Sequence, residues 1–433
     1  MMKHAIHPLA QRTAAAILLM AACGEDANPR GSELAPDTVS SNLERVRNPE
    51  PTAEQMRALA RGNHRFTLDL FGQLDGDENA MISTLSIRTA FAMVYAGART
   101  TTAQAMSDRM YMDSDAEAFH QAMNALDLAL ADRELPADPE QDLDPVELRQ
   151  ANAFWSQTGY PWKQDYLDTL ARHYGAGVYT VDFWTQPEIS RRTINDWVEK
   201  RTRERIQDLL PEGSIKTNTV AVLTNAIYFK APWSSVFDEN FTQSGDFERK
   251  DGSTSSVEYM KQIAEYGHAE GAGWVAVELP FRGEELSMVI VAPDAGTFDG
   301  FKSSMTAEAL RNIVDSLSQQ QVELSLPKFE FETQMQLSDS FRNLGLAELF
   351  EGPDLSGMVE GRLLSVDEAY HKTFVAVDEK GTEAAAATAV VIVETSAPTP
   401  DHTVALDRPF LFLIRDRATG VWLFFGQVLD PSA

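Results

Sequence analysis

Apolar residues recur at helical spacing in the first half of the chain and alternate or run together in the second. Ile87, Ala90, Phe91, Val94 and Tyr95 stand at i, i+3, i+4, i+7 and i+8, one stripe of a helix, with Ser86 placed to cap it. Ile194, Trp197, Val198 and Ile206 mark a second amphipathic helix. The stretch VELSLPKFEFE alternates at Val322, Leu324 and Leu326, then at Phe329 and Phe331, which predicts a half-buried strand pair or one bent strand. SMVIVAP reads as a buried apolar strand, and RPFLFLIRDRATGVWLFFGQVLDP as a hairpin turning at Asp416 to Gly420. Helices followed by strands predict an α+β protein with large, mostly antiparallel sheets rather than a βαβ fold. No internal repeat is visible. The polar, Pro-containing stretch ALADRELPADPEQDLDPVELRQ is expected to be an acidic surface loop between a helix and a strand.

Composition narrows the class. The 433 residues are 43% hydrophobic and 9% aromatic, too apolar for a disordered chain. Acidic residues outnumber basic ones 65 to 37, a formal charge of -28, which argues against nucleic acid or an anionic membrane surface as the main partner. At the N-terminus, Lys3 and Arg12 precede an apolar run from Ala14 to Ala22, shorter than the roughly 20 residues that span a bilayer and shaped like an export signal. The single cysteine, Cys23, follows Met20, Ala21 and Ala22. This resembles the lipobox of bacterial lipoproteins, in which the signal is removed before the cysteine and its thiol is lipidated; Met20 is a less usual residue there. The organisation expected is a signal peptide over 1–22, a lipidated flexible tether over 23–51, rich in Pro, Ser, Asn, Asp and Glu, and one folded domain over 52–433. With Cys23 lipidated, no thiol remains for a disulfide, a metal or nucleophilic catalysis.

Enzyme signatures are missing: there is no G-x-S-x-G, H-E-x-x-H, P-loop or G-x-G-x-x-G, and no histidines are paired at metal-ligand spacing. The specific signals lie elsewhere. NAIYFKAPWSSVFDENFT follows the pattern N-x-x-Y-F-K-G-x-W-x-x-x-F, with Ala231 where glycine is usual. STLSIRTAFAMVYAGARTTT, INDWVEKRTRERI, VELSLPKF, LGLAELF, DLSGM, VDEKGTEAAAAT and DRPFLFLIRDRATGVWLFFGQVLDP are further spaced motifs along the chain. Together, from about residue 60 to the end, they resemble the serpin family of serine protease inhibitors. The resemblance implies one large domain, a helical N-terminal part, and an exposed reactive-centre loop. In this family a protease attacks a bait bond in the loop and forms an acyl-enzyme. The cut loop then enters the main sheet as a new central strand and carries the protease away distorted.

The hinge VDEKGTEAAAAT meets the physical demands of that motion. No proline interrupts Gly381 to Thr395, so every residue can supply a ladder N–H. The alternate set Thr382, Ala384, Ala386, Thr388, Val390 and Ile392, expected to face inward, is small or apolar, while Glu383 falls on the other face; Ala385 and Ala387 complete the alanine run. Gly381 supplies backbone freedom at the pivot. The resemblance places the bait bond at Thr395–Ser396, about fourteen residues beyond the hinge glycine. The bonds Glu394–Thr395 and Ser396–Ala397 are its alternatives, and Glu394 would call for a Glu-preferring protease. Thr395 suits the shallow pocket of an elastase- or subtilisin-like protease. The resemblance also assigns strand-opening control to Ser83, Ser86, Asn225 and His371 beneath the main sheet, and to Trp233, Lys328 and Glu379 where the loop enters. An exposed Lys328–Glu379 ion pair is expected there, worth at most about 1 kcal/mol.

The leading expectation is an exported, lipid-anchored or extracellular monomer that irreversibly inhibits serine endopeptidases, with a papain-like cysteine protease as a further partner class. It needs no cofactor or metal and is not an enzyme. A non-inhibitory binding protein or chaperone of the same fold is the alternative, and a lipoprotein hydrolase the weakest reading.

Overall fold

A computed structural model describes residues 36–74, 76–139, 143–361, 364–382 and 399–433. Cys23, the expected export signal, the hinge residues Glu383 to Thr388 and the bait residues Thr395 and Ser396 lie outside the described residues. No described helix is long and apolar enough to cross a membrane.

The chain enters on a short strand, β1 (Asp37–Val39), then helix α1 (Ala53–Phe71), β2 (Ala80–Ile82) and helices α2 (Thr84–Tyr95), α3 (Thr100–Arg109) and α4 (Ala116–Ala131). Strands β3 (Glu147–Gln150), β4 (Ala153–Gln157) and β5 (Val178–Val181) follow, interleaved with helices α5 (Gln164–Tyr174) and α6 (Pro187–Arg201). The second half is mainly strand: β6 (Ala221–Pro232), β7 (Gln243–Glu248), β8 (Thr254–Gly271), β9 (Trp274–Pro280), β10 (Leu286–Pro293), β11 (Ser318–Pro327), β12 (Phe329–Gln336), β13 (Glu368–Asp378), β14 (Gly381–Thr382), β15 (His402–Ala405), β16 (Phe410–Asp416) and β17 (Trp422–Val428). One sheet runs β1-β5-β4-β6-β14-β13-β12, with β3 also on β6. The other runs β15-β11-β8-β9-β10-β16-β17-β2, with β7 on β8. This is the α+β arrangement that the periodicities predict.

Particular elements differ from the sequence reading. The helix of the first stripe is capped by Ser83, whose hydroxyl accepts the Ser86 N–H at 3.3 Å; Ser86 itself sits in the first turn. The helix carrying Ile194 and Val198 ends at Arg201, so Ile206 lies beyond it, yet Ile206 packs in the same small core with Trp155 and Phe183. The alternating stretch from Val322 to Phe331 breaks at Lys328 into two strands that belong to different sheets.

The described segment ahead of Thr52 is packed on the body. Asp37–Val39 pairs antiparallel with β5. The Val46 N–H bonds the Arg172 carbonyl at 2.9 Å, and the Arg45 guanidinium meets Asp127 at 2.6 Å. The segment from 36 to 51 is held by backbone ladder and charge rather than by an apolar stripe, which is why its composition reads as tether. The acidic stretch after α4 forms the expected connection to β3, with bridges Leu135–Val146 and Asp138–Leu143.

The C-terminal hairpin is the centre of the core. Every residue of β17 is buried, and β17 packs between β16 and β2 with α1 and α2 against it. Gly426 makes this possible: a Cβ there would stand 2.5 Å from the Phe412 ring and 2.7 Å from the Ala80 carbonyl oxygen. Gly426→Ala is expected to lower unfolding free energy by about 1–3 kcal/mol in urea titrations. An unchanged midpoint would mean that β17 can shift away from β2 freely.

Candidate functional site

The site lies where β6 and β13 of the first sheet meet and part. Over Glu368 to Thr373 and Val222 to Ile227 the two strands pair directly and in parallel, with His371 opposite Asn225. Beyond Thr373 and Ile227 their direct pairing ends. At the far end β14 stands between them, antiparallel to both: Thr382 is opposite Val377 on one side and Ala231 on the other. All three are buried, so Thr382 faces the core. Its hydroxyl accepts the Ala231 N–H at 3.1 Å. Gly381 has φ +154°, and a Cβ on it would lie 2.1 Å from the Ala231 carbonyl oxygen and 2.6 Å from the Pro232 Cα. The backbone of β6 therefore admits only glycine here. The glycine serves close approach at least as much as pivoting.

The turn between β13 and β14 is anchored from both sides. The Asp378 carboxylate accepts the N–H groups of Lys380 (2.9 Å) and Gly381 (3.2 Å). Trp233 donates its indole N–H to the Asp378 carbonyl at 2.9 Å and its backbone N–H to the Lys380 carbonyl at 2.8 Å. Its ring is stacked on Phe281, centroids 4.7 Å apart. Glu379 meets the Lys328 ammonium at 3.1 Å and accepts the Thr242 hydroxyl at 2.7 Å. The expected Lys328–Glu379 pair forms, but it is not the exposed pair expected: the Glu379 side chain is only 8% exposed while Lys328 is 35% exposed. Burial works to raise the Glu379 carboxyl, but the Thr242 hydroxyl, its own backbone N–H and Lys328 outweigh it and hold the pKa below the usual range. The contact is thus a buried, hydrogen-bonded carboxylate, and losing a partner matters more here than for a surface pair.

Beneath the parallel seam, one hydrogen-bonded cluster ties the two strands to α2. The His371 ring is fully buried and its Nδ1 faces the Asn225 side-chain oxygen. Its Nε2 accepts the Ser83 backbone N–H at 3.0 Å, which fixes a neutral ring protonated on Nδ1. The Asn225 amide donates to the Ser86 hydroxyl and to the Asn152 oxygen, both at 2.7 Å, and Ser86 in turn donates to Asn152 at 2.8 Å. Ser83, Ser86, Asn225 and His371 are therefore in one network. Trp233, Lys328, Glu379, Gly381 and Thr382 gather at the other end of the same two strands.

Sequence reasoning missed three members. Asn152 completes the amide network, Thr242 holds Glu379, and Thr373 donates its hydroxyl to the Met81 carbonyl at 2.6 Å. None had a marker: each is a polar residue beside a strand, and only the fold brings it under the sheet.

The model of the serpin (serine protease inhibitor) family matches residues 61–431. The chain belongs to the serpin family. It is 36% identical over 382 residues to an uncharacterised serpin-like protein of Thermococcus kodakarensis, with 87% of each chain covered. It is 34% identical over 390 residues to the leukocyte elastase inhibitor of Equus caballus, covering 87% of this chain and 100% of that one. The crystal structure of the thermophilic serpin tengpin in its native state superposes with a TM-score of 0.77 at 26% identity, over 90% of this chain and 97% of that one.

Burial pushes His371 down to about 3, with the Asn225 contact only partly opposing it, against an ordinary 6.5. An unfolded chain takes up a proton on this ring below about pH 6.5, the native chain only near pH 3. Stability from this ring is fully present above about pH 6.5 and falls as the pH drops, by about 2 kcal/mol at about pH 5. Burial also depresses His64, to about 4, and His120, to about 3, so the informative quantity is a difference. Between about pH 7.5 and 5, His371→Gln should lose about 2 kcal/mol less unfolding free energy than the unaltered protein. Equal losses would mean that His371 does not carry this acid sensitivity.

Proposed function

We propose that this protein is an irreversible suicide-substrate inhibitor of serine endopeptidases of the elastase or subtilisin kind. The observation that carries the reading is β14: two residues already seated antiparallel between β6 and β13, with Thr382 facing the core. Each ladder, continued residue for residue, brings Thr388 opposite both His371 and Asn225, the pair that now faces itself across the seam. A strand advancing in this register would separate His371 from Asn225 and put the Thr388 side chain in their place. It would reach the start of β13 at Val391, four residues short of Thr395. A cut at Thr395–Ser396 thus leaves enough free chain to fill the sheet.

The chemistry belongs to the protease. Its serine attacks the Thr395 carbonyl carbon, the peptide bond to Ser396 breaks, and the leaving amine takes a proton. The released loop then competes with deacylation. About a dozen net ladder hydrogen bonds at about 1 kcal/mol each give on the order of 10 kcal/mol, comparable to a whole domain's stability. The native form is therefore held by a kinetic barrier. Thr395 is small and uncharged, which fits a shallow specificity pocket; the name of the Equus caballus relative points to the same class for that protein. On this reading the protein performs no catalysis of its own and needs no cofactor. The apolar run before Cys23 supports export and a lipid anchor at the cell envelope.

Incubation with an elastase- or subtilisin-like protease should give a complex that survives SDS, and Thr382→Arg should turn that complex into cleaved inhibitor and free, active protease. Thr382 is 2% exposed, so a charged, long side chain there cannot be seated without opening the core. Clean cleavage of the unaltered protein with no complex would overturn the reading.

A further inference from the structure

Away from the seam, the first residue of β15 meets β8. The ring of His402 stacks on that of His268, centroids 4.0 Å apart and planes 25° from parallel. Glu270, two residues beyond His268, shares its face of β8. The imidazole nitrogens and the carboxylate of these three residues lie within 4.8 Å of one another. We propose that His268, Glu270 and His402 form a binding site for a divalent transition-metal ion of the zinc class.

The donor chemistry fits. Two imidazoles and a carboxylate make a three-ligand set that zinc accepts with water in the fourth position. Among the described residues neither ring makes a hydrogen bond, so their lone pairs are uncommitted. His402 is half-buried and Glu270 exposed. Ligands about 2 Å from a tetrahedral ion stand about 3.3 Å apart, so the set closes when the His402 ring tilts out of the stack and Glu270 swings in.

The place of the site gives it a consequence. β15 is an edge strand held to β11 by four residue pairs, and it leads from the loop back into the core hairpin. An ion bridging His402 to β8 would tie that strand down. On the inhibitor reading above, this clamps the far end of the loop and opposes its entry into the sheet uncut. Metal binding itself is independent of that reading and is measured without protease.

Titration calorimetry of the full chain with zinc chloride should show one saturable site. His402→Ala and Glu270→Gln, both at solvent-reachable positions, should each weaken it at least tenfold while leaving the metal-free thermal midpoint unchanged. Zinc at about a hundred times its dissociation constant should raise the midpoint of the unaltered protein by about 2–3 °C, and not that of His402→Ala. Cobalt in place of zinc should give the visible absorption of a four-coordinate ion in the unaltered protein alone. No saturable binding, or binding that both variants retain, would overturn the site. A site that holds metal in a protein forming no protease complex would overturn the inhibitor reading and leave the site standing.

Discussion

The first sheet depends on a seam of parallel pairing, Glu368–Thr373 against Val222–Ile227, with the antiparallel β14 seated between the same two strands beyond its end. Parallel ladders are slightly weaker per residue than antiparallel ones, and a strand filling the seam would make ladder bonds on both sides. On the proposed reading, the folded state therefore holds the weaker of two arrangements. What keeps it there is local. His371 bridges Asn225 and the Ser83 N–H, and Asn225 bridges Ser86 and Asn152, so separating the strands means breaking a buried polar network all at once. A barrier of that kind sets a rate rather than an equilibrium, as the proposed inhibitor mechanism requires.

On the proposed reading, the upper end of the same two strands is arranged to start loop insertion without completing it. Gly381 permits β14 to lie against the β6 backbone, and Thr382 is already packed as a central-strand residue. Against this, Trp233 holds the turn at Asp378–Lys380 through its indole and backbone N–H groups, and Lys328 and Thr242 hold it through the Glu379 carboxylate. Entry and restraint would then share one short stretch, and the proposed mechanism expects a change in any of these residues to act on the first step of insertion.

Much of the fold was legible because it rests on local periodicity. The C-terminal hairpin, the strand Leu286–Pro293 and the helix after Ser83 follow from apolar spacing alone. The order of the strands in the sheets was not legible, since β6 and β13 are distant in sequence and their pairing depends on what lies beneath them. The site divides in the same way. Gly381 and Thr382 declared themselves by residue type, and the resemblance to the family named His371, Asn225, Ser83 and Ser86. Asn152 and Thr242 did not, because an asparagine or threonine beside a strand acquires meaning only from its buried partner. The polar segment from Pro36 to Pro51 misled for a related reason: it is fastened through backbone pairing and Arg45, neither of which leaves a hydrophobic pattern.

The central claim is that the seam closes over a metastable state that a cut loop converts into a more stable one. Limited proteolysis within Glu383–Thr395 by a protease that is not trapped, followed by thermal unfolding, tests it directly. The account predicts a sharp rise of the thermal midpoint after the cut, together with slowed amide exchange along β6 and β13 as the new strand pairs with both. A cut chain that melts at the same temperature as the uncut one, with unchanged exchange along these strands, would contradict it.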